Sequence, residues 1–416
     1  MIIKPFKGLR PRPDKARLVA SRPYDVLSSE EARVEAAGNP LSFLNVVKPE
    51  ILLPPETDPY APEVYETGRG YFEKLLAEGV FSQDPGECLY IYELTMDGRS
   101  QTGIVACAAV RDYLDGRIKK HELTRPDKEA DRKRHVRVSM LNAEPVFFAY
   151  RAVPALDKVV AIITRHAPEY DFTADDGIRH RFWVVRSAEL ISHIVGEFEG
   201  IPSTYVADGH HRSAAAALVG AELRRENPGD AGEREYDYFL AVHFPDNQLA
   251  ILDYNRVITD LDGLTPAQFL ERIAHAFHIE SHGIQPCKPA GPHRFGMYLD
   301  GAWYALKAKT GTWDDDDPIG ALDVTLLSRQ ILEPILHIRD LRTDKRIDFV
   351  GGIRGLGELS RRVDSGEMAV AFSMYPVSMK QLMNIADNGM IMPPKVTWFE
   401  PKLRSGLVVH SLLETM

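Results

Sequence analysis

Cysteine is scarce in this chain, and its few thiols form no motif. Only three of the 416 residues are cysteines, far apart at Cys88, Cys107 and Cys287. No two of them have the spacing of a metal site or of a redox pair. This usage suits a protein of the reducing cytoplasm.

Long apolar runs are missing as well. No stretch of 18 consecutive apolar residues occurs, and the N-terminal MIIKPFKGLRPRPDKARLV has no long apolar core. The sequence therefore predicts neither a membrane span nor a signal peptide. We expect a cytoplasmic protein without a membrane partner.

Positive net charge and the common nucleotide motifs are also absent. The formal net charge is -10, so the chain lacks the overall electrostatic footprint of a nucleic-acid-binding protein. The P-loop pattern GxxxxGK[ST], a GxGxxG turn after a strand, the kinase HRD set and the GxSxG elbow do not occur. These absences argue against DNA as a partner and against the commonest nucleotide and hydrolase folds.

What remains is a chain of ordinary globular composition. Hydrophobic residues make up 44% and charged residues 26%, and the length allows two or three domains. We predict an α+β (mixed α/β) fold in which helices pack on antiparallel hairpins. Three regions are predicted, at residues 1–115, 116–260 and 261–416.

Three hairpins and one long helix support this fold class. CLYIYELT and QTGIVACAAVRDY have strand patterns and flank an Asp-Gly turn. Further hairpins are predicted around Asp246-Asn247 and Asp300-Gly301. An amphipathic pattern predicts a helix from about Ala61 to Glu78.

The stretch YVADGHHRSAAAAL, from Tyr205 to Leu218, is the most unusual in the chain. Its first residues predict a short buried strand, and its alanines predict a helix. The first N–H groups of a helix have no partner within it and carry partial positive charge. Gly209 lets the backbone approach a ligand, and further donors come from His210, His211 and Arg212. Such a turn is typical of a phosphate or carboxylate site.

Two other interpretations of this turn stay open. Asp208 could be an ordinary helix cap, with the histidines as polar groups at a sheet edge. Asp208, His210 and His211 could instead bind a metal. Neighbouring histidines diverge, however, and no HExxH or CxxC spacing supports such a site.

A net basic tract runs from Arg117 to Arg137. Its later part, PDKEADRKRHV, predicts a solvated helix with ion pairs four residues apart. Its earlier part, KKHELTRP, places His121 beside Glu122 with cations on both sides. A general base near phosphates has this pattern, and we predict His121, Glu122 and Asp208 as catalytic residues.

The C-terminal stretch MPPKVTWFEPKLRSGL is stiffened by three prolines, and we expect it to be packed. Lys395, Thr397 and Lys402 place cations and a hydroxyl on its nearly extended frame. They are predicted to contribute to phosphate or nucleotide binding. A terminal strap with its charges in water is the alternative.

Several segments, in order along nearly the full chain, resemble the bacterial "domain of unknown function 1015" family. DGHHR and MPPK are the most specific of these matches. The segments are RPYDVLSSEEAR, NPLSFLNVVKPE, GRIKKHELTRPDKEADR, NAEPVFFAY, HRFWVV, YVADGHHRSAAAAL, LAILDYNRVI and MPPKVTWFEPKLRSGL.

The strand-DGHHR-helix unit is also distantly similar to the phosphate-contacting box of the ParB and sulfiredoxin superfamily. Members of that superfamily bind nucleotides, and some relatives phosphorylate free serine. The resemblance implies nucleotide phosphates at Gly209 to Arg212, with ATP or ADP and Mg²⁺ as cofactors. It also implies that Asp208 orients a histidine or helps to hold Mg²⁺.

Three functions follow from these patterns. The first is a nucleotide-dependent phosphotransferase that acts, in either direction, on a small hydroxyl metabolite such as serine. The second is a ParB-like regulator that is switched by nucleotide and binds DNA through the basic tract. The third is a metal-dependent phosphohydrolase.

Overall fold

The computed structural model describes residues 1–414, which divide into two units. Unit 1 contains Met1–Leu249 and the residues from Pro401 onward, and unit 2 is Ala250–Glu400. The three regions predicted from the sequence stay a prediction, although strands from the first two share one sheet. Within residues 1–414, every helix is too short or too polar to cross a bilayer.

Unit 1 contains most of the regular structure. Its strands up to residue 249 are β1 Ile3–Lys4, β2 Leu9–Pro11, β3 Phe81–Gln83, β4 Leu89–Met96, β5 Arg99–Ala109, β6 Ile118–Lys119, β7 Leu141–Asn142, β8 Val146–Tyr150, β9 Tyr170–Thr173, β10 Arg179–Val185, β11 Thr204–Asp208 and β12 Tyr238–Pro245. Its helices are α1 Ala16–Val19, α2 Ser29–Ala36, α3 Leu44–Val47, α4 Pro62–Ala77, α5 Val110–Leu114, α6 Pro126–Ser139, α7 Pro154–Ile163, α8 Ala188–Glu199 and α9 His210–Glu226.

The main sheet of unit 1 has nine strands. Their order is β6-β11-β8-β12-β5-β4-β10-β9, and β1 pairs with β5. The β6–β11 and β8–β12 pairs are parallel, whereas the other pairs of this sheet are antiparallel. The predicted α+β class is confirmed.

The β4–β5 hairpin shows how local sequence determines a turn. Asp97 and Gly98 between the two strands both have positive φ, 51° and 77°. A two-residue turn of this kind matches the right-handed twist of the flanking strands, and Asp-Gly is one of its preferred sequences. The predicted hairpin is confirmed, as is the predicted long helix, which spans Pro62–Ala77.

Helix α9 packs closely against the sheet because its buried face is made of small side chains. Ala214 and Ala217 belong to the same apolar cluster as Phe148 and Val206. A Cβ atom added to Gly220 would lie 2.3 Å from the carbonyl oxygen of Tyr236. The Ala-rich sequence therefore favours a helix and also allows its close approach.

Unit 2 is built on a six-stranded antiparallel sheet of order β15-β17-β16-β19-β14-β18. Its strands are β13 Ile251–Leu252, β14 Tyr254–Ile258, β15 Phe277–Gly283, β16 Arg294–Leu299, β17 Ala302–Ala308, β18 Ile347–Gly351, β19 Val370–Ser373 and β20 Trp398–Phe399. Its helices are α10 Pro266–Ile273, α11 Asp323–Leu327, α12 Leu356–Asp364 and α13 Met379–Asp387. The predicted β16–β17 hairpin is confirmed, with positive φ at Asp300 and Gly301. The last strand of the chain, β21 (His410–Ser411), belongs to unit 1, where it pairs with β7.

Two expectations about local structure are wrong. The predicted hairpin at Asp246-Asn247 does not form, because β12 is flanked on both edges by β5 and β8. The basic helix is not fully solvated either. Asp131, Arg132 and His135 of α6 are buried, since this face of the helix lies against the interior of unit 1.

Candidate functional site

The DGHHR stretch forms the predicted strand-to-helix turn. Strand β11 ends at Asp208, and α9 begins at His210. Gly209 between them is the N-cap with φ 91°, a left-handed conformation that favours glycine. No side chain among the described residues caps this helix start. The interpretation of Asp208 as a helix cap is therefore wrong.

The parallel pairing of β6 and β11 brings two predicted segments together. Ile118 pairs with Thr204, and Lys119 pairs with Tyr205. The carboxyl ends of these strands consequently lie at the same edge of the sheet. The rings of His121 and His210 meet there edge to face, with centroids 4.5 Å apart.

Asp208 lies between two cations. Its Oδ1 is 3.3 Å from the ammonium of Lys402, and its Oδ2 is 3.1 Å from Nη2 of Arg212. Burial by itself would raise the pKa of Asp208. The charges of Lys402 and Arg212 outweigh burial and lower this pKa to about 2. The carboxylate is therefore ionised at neutral pH, and each of its oxygens accepts a hydrogen bond from a cationic side chain.

Arg212 faces the interior of unit 1. Its side chain is 7% exposed, and Nη1 donates to the carbonyl of Pro145 at 2.7 Å. Asp25 lies 3.6 Å from Nη2. Burial opposes the charge, but Asp25 and Asp208 outweigh it and raise the pKa of the guanidinium. The same guanidinium lies 3.2 Å from where a Cβ on Gly209 would be, so Arg212 folds back over the turn.

The structure adds Glu144 to the charged residues around Arg212. The sequence analysis did not predict Glu144 as a site residue. Its Oε1 accepts hydrogen bonds from the backbone N–H of Tyr24 and from the Ser405 hydroxyl, at 3.0 and 3.1 Å. Its Oε2 is 3.7 Å from Arg132. Burial raises the pKa of Glu144 against the opposing charges of Arg212 and Arg132. Glu144 lies within NAEPVFFAY, one of the segments that resemble the family described in the sequence analysis. Only that resemblance could have indicated a role for Glu144.

Tyr24 and Asp25 were also missed, because nothing local in RPYDVL indicates a role. The ring of Tyr24 is 3.9 Å from the guanidinium of Arg132. Together the three segments around residues 25, 144 and 402 surround Arg212 with acids and a second cation.

A cavity of about 30 Å³, lined by Arg132, Glu144 and Arg212 among others, is large enough for a water molecule.

The histidines of the site are electrically neutral at pH 7. Burial lowers the pKa of His121 to about 4 and that of His210 well below its ordinary value. Burial also lowers the pKa of His211, whose Nε2 accepts the backbone N–H of Arg125 at 3.0 Å. This hydrogen bond ties the loop after β6 to the first turn of α9.

The structure brings together most of the predicted site residues, namely His121, Glu122, Asp208, Gly209, His210, His211, Arg212 and Lys402, all of which belong to unit 1. Lys395 and Thr397 belong to unit 2. There, the Lys395 carbonyl accepts a 2.9 Å hydrogen bond from Arg256, and its ammonium lies 5.7 Å from the ring centroid of Tyr254. Their predicted part in phosphate binding stays a prediction.

Comparison with protein families gives one match that covers most of the chain. The model of the family described as "Protein of unknown function (DUF1015)" matches residues 3–325. No curated protein matches the sequence. The predicted similarity to the ParB and sulfiredoxin superfamily stays a prediction.

Several solved structures share a loose likeness with the chain. A free serine kinase variant in complex with AMP is 11% identical, with a TM-score of 0.36 over 73% of this chain and 91% of that chain. A conserved hypothetical protein from Pyrococcus furiosus is 12% identical, with a TM-score of 0.34 over 73% and 95%. SbnI from Staphylococcus aureus, with a C-terminal truncation, is 12% identical, with a TM-score of 0.37 over 75% and 90%. Likeness at this level supports no inference about chemistry.

Proposed function

The chain belongs to the DUF1015 family, and we propose that its unit 1 binds the phosphates of a nucleotide at the start of α9. The observation that carries the proposal is the first turn of this helix. It begins after a glycine with φ 91°, and no side chain of residues 1–414 caps it. A 17-residue helix places partial positive charge at such an end, which favours an anion by about 0.3–1 kcal/mol.

The cation of Lys402 supports the same proposal. The Lys402 side chain is 13% exposed, and its ammonium is held 3.3 Å from Asp208, so the carboxylate orients it beside the turn. Arg212 faces the interior of unit 1, where its side chain is 7% exposed and donates to Asp208 and to the Pro145 carbonyl. We therefore assign phosphate contact to the backbone amides and Lys402, and a positioning role to Arg212.

The activity we propose is phosphoryl transfer between this nucleotide and a small hydroxyl compound, with serine as the first to test. In the forward direction the hydroxyl oxygen forms a bond to the terminal phosphorus, and the bond from phosphorus to the leaving oxygen breaks. The hydroxyl proton passes to an acceptor, for which Glu122 stays the prediction. Such transfer depends mainly on positioning and on neutralising charge.

Mg²⁺ would supply charge neutralisation between the phosphates, but Asp208 is a poor ligand for it. Both carboxylate oxygens already accept hydrogen bonds from Lys402 and Arg212. A cation bound there would face two positive side chains. We propose instead that Asp208 holds Lys402 and Arg212 in place.

Burial in the basic tract supports the enzyme over the DNA-binding regulator. Arg132 of α6 contacts Asp131 and Glu144 and is 8% exposed. It is therefore unavailable for phosphate contacts along a duplex. The remaining cations of the tract lie in a chain of net charge -10, which disfavours binding to a DNA duplex.

Nucleotide binding is tested by calorimetric titration of the untagged chain with ATP, ADP and adenosine. We expect ATP and ADP to bind and adenosine to bind at least about tenfold more weakly, a difference of about 1.4 kcal/mol. Lys402→Met should weaken ATP binding by a similar factor. The control is Lys158→Met, since Lys158 is an exposed residue of α7. Equal affinity for adenosine and ATP, or an unchanged Lys402→Met protein, would contradict the proposed site.

Phosphoryl transfer is tested separately, by following phosphorus resonances of ATP mixed with the protein, Mg²⁺ and a panel of hydroxyl metabolites. A new phosphate ester that requires both protein and metabolite is the expected result. Binding of ATP without transfer to any member of the panel would leave a nucleotide-binding protein and remove the transferase.

A further inference from the structure

His210, at this edge of the sheet, has a ring nitrogen that no described residue satisfies. His210 is 8% exposed, and its Nε2 is buried without a hydrogen-bond partner among the described residues. An unsatisfied buried polar atom costs about 1–3 kcal/mol. Proteins seldom keep such an atom unless a water, an ion or a ligand satisfies it.

Two further ligating side chains lie close to the His210 ring. One possible ligand atom from each of His121, Glu122 and His210 lies within 4.8 Å of the other two. They come from two chain segments, the loop after β6 and the first residue of α9, which the parallel β6–β11 pair places side by side. The two imidazole rings stand at 88° to each other, so they approach the shared space from different directions.

The environment of His121 fits a ligating role. The backbone of Val206, on the neighbouring strand β11, lies beside the His121 imidazole and raises its pKa against the larger, opposite effect of burial. Histidines that bind metals commonly donate their other ring nitrogen to a carbonyl or carboxylate, which fixes the tautomer and the ring orientation. The Val206 backbone is placed to supply this second contact.

We propose that His121, Glu122 and His210 bind a divalent transition-metal ion, with zinc as the probe of choice. Two imidazoles and one carboxylate suit zinc, iron or manganese, whereas Mg²⁺ prefers oxygen ligands. Metal–ligand bonds of about 2.0–2.2 Å at tetrahedral angles separate the ligand atoms by about 3.3–3.6 Å. The three atoms, which lie within 4.8 Å of one another, would therefore move closer by at most about 1.5 Å. Three protein ligands leave a position open for water or for a substrate oxygen.

This site differs from the predicted metal ligands. The sequence suggested Asp208, His210 and His211, but Asp208 is paired with Lys402 and Arg212. The Nε2 of His211 accepts from the backbone of Arg125. Of that predicted set only His210 belongs to the cluster. Glu122 is then a ligand, so the proton acceptor of the proposed transfer would have to be another group.

The test uses the untagged full-length chain, stripped of metal with EDTA. Titration with Zn²⁺ should show one ion bound per chain, and Co²⁺ should give the visible absorption of a site with nitrogen ligands. Mg²⁺ should not compete. His210→Gln should weaken Zn²⁺ binding by at least about 100-fold, since loss of even an outer-shell partner costs 10–100-fold. His211→Gln, the adjacent residue, is the matched control and should bind Zn²⁺ as the wild type does.

Two outcomes overturn the proposal. The first is a wild-type chain that takes up no stoichiometric Zn²⁺, as expected if a buried water satisfies His210. The second is an equal effect of the His210 and His211 substitutions on affinity and on the cobalt spectrum. Should His210→Gln fail to fold by circular dichroism, Glu122→Gln at a half-buried position replaces it, with the same expected loss. Nucleotide affinity measured in EDTA tests the proposed function independently.

Discussion

Removal of the Arg212 side chain should destabilise unit 1 far more than it affects any ligand. The Arg212 side chain is 7% exposed, and its guanidinium donates hydrogen bonds to Asp208 and to the Pro145 carbonyl. In Arg212→Ala the carbonyl loses its donor, and Asp25 and Asp208 lose a shared cation. The substitution therefore leaves buried polar groups with incomplete partners.

The magnitude follows from the type of pair that is broken. Removal of one partner of a buried ion pair costs about 3–5 kcal/mol. Lys402 still contacts Asp208 at 3.3 Å in the variant, so we expect a loss near the lower limit, about 3 kcal/mol. At about 2–4 °C per kcal/mol for a unit of this size, the melting temperature should fall by about 6–12 °C.

The assay is differential scanning calorimetry of the wild type, Arg212→Ala, Arg212→Lys and Arg225→Ala. Arg225 is an exposed arginine on the same helix, so its removal should change the free energy of unfolding by less than about 0.5 kcal/mol. Arg212→Lys keeps the charge but loses the planar fork of donors, and it should recover only part of the loss. A double-mutant cycle with Asp208→Asn should give a coupling energy of about 0.5–3 kcal/mol.

An Arg212→Ala protein as stable as Arg225→Ala would refute the reasoning, because the buried network would then contribute nothing to the fold. The expected result also limits what this variant can show about ligands. Loss of nucleotide binding in a protein destabilised by about 3 kcal/mol does not identify a phosphate contact. For this reason Lys402, at the edge of the network, is the better probe of the proposed site.

Two other perturbations test the turn and the interior of unit 1. Gly209→Ala places a side chain at φ 91° and should lower the free energy of unfolding by about 1–2 kcal/mol. The control is Gly70→Ala inside α4, where an added Cβ has nothing within 4 Å; it should raise the free energy of unfolding by about 0.5–1 kcal/mol. Equal melting temperatures for the two variants would argue against strain at the turn. Burial lowers the pKa of His135 to about 4 and that of His243 to about 3, so between pH 6.5 and those values only the unfolded chain takes up their protons. The free energy of unfolding should therefore fall as the pH falls through that window, by up to about 1.4 kcal/mol per pH unit for each histidine. A flat profile between pH 6.5 and 4 in urea titrations with EDTA present would contradict this burial.

Much of the local structure could be predicted from the sequence. The Asp-Gly turns at residues 97–98 and 300–301 require positive φ, which these residues tolerate, and both hairpins form. The alanines after Arg212 favour a helix, and the strand before Gly209 is where its β-branched and aromatic residues indicate. Short-range conformational preferences determine these elements, so a window of the sequence contains the information.

Short-range conformational preferences could not predict which distant segments of the chain pair with one another. The hairpin expected at residues 246–247 fails because β12 is paired on both edges by strands about 95 and 135 residues earlier in the chain. The helix of the basic tract was correctly placed, but nothing in its charges indicated that Asp131 and Arg132 would be buried. Burial of an ion pair depends on what packs over it.

The sequence by itself determined the DGHHR turn, its glycine and the helix that follows, because these depend on neighbouring residues. Only the tertiary structure decided that Asp208 is paired with Lys402, 194 residues away, and that Arg212 faces Asp25 and the Pro145 carbonyl. It likewise decided that His121 meets His210, through the parallel pairing of β6 with β11. The physical reason is that charge pairing and metal ligation act over a few ångströms in space, and the order of strands in the sheet determines which residues come within that distance.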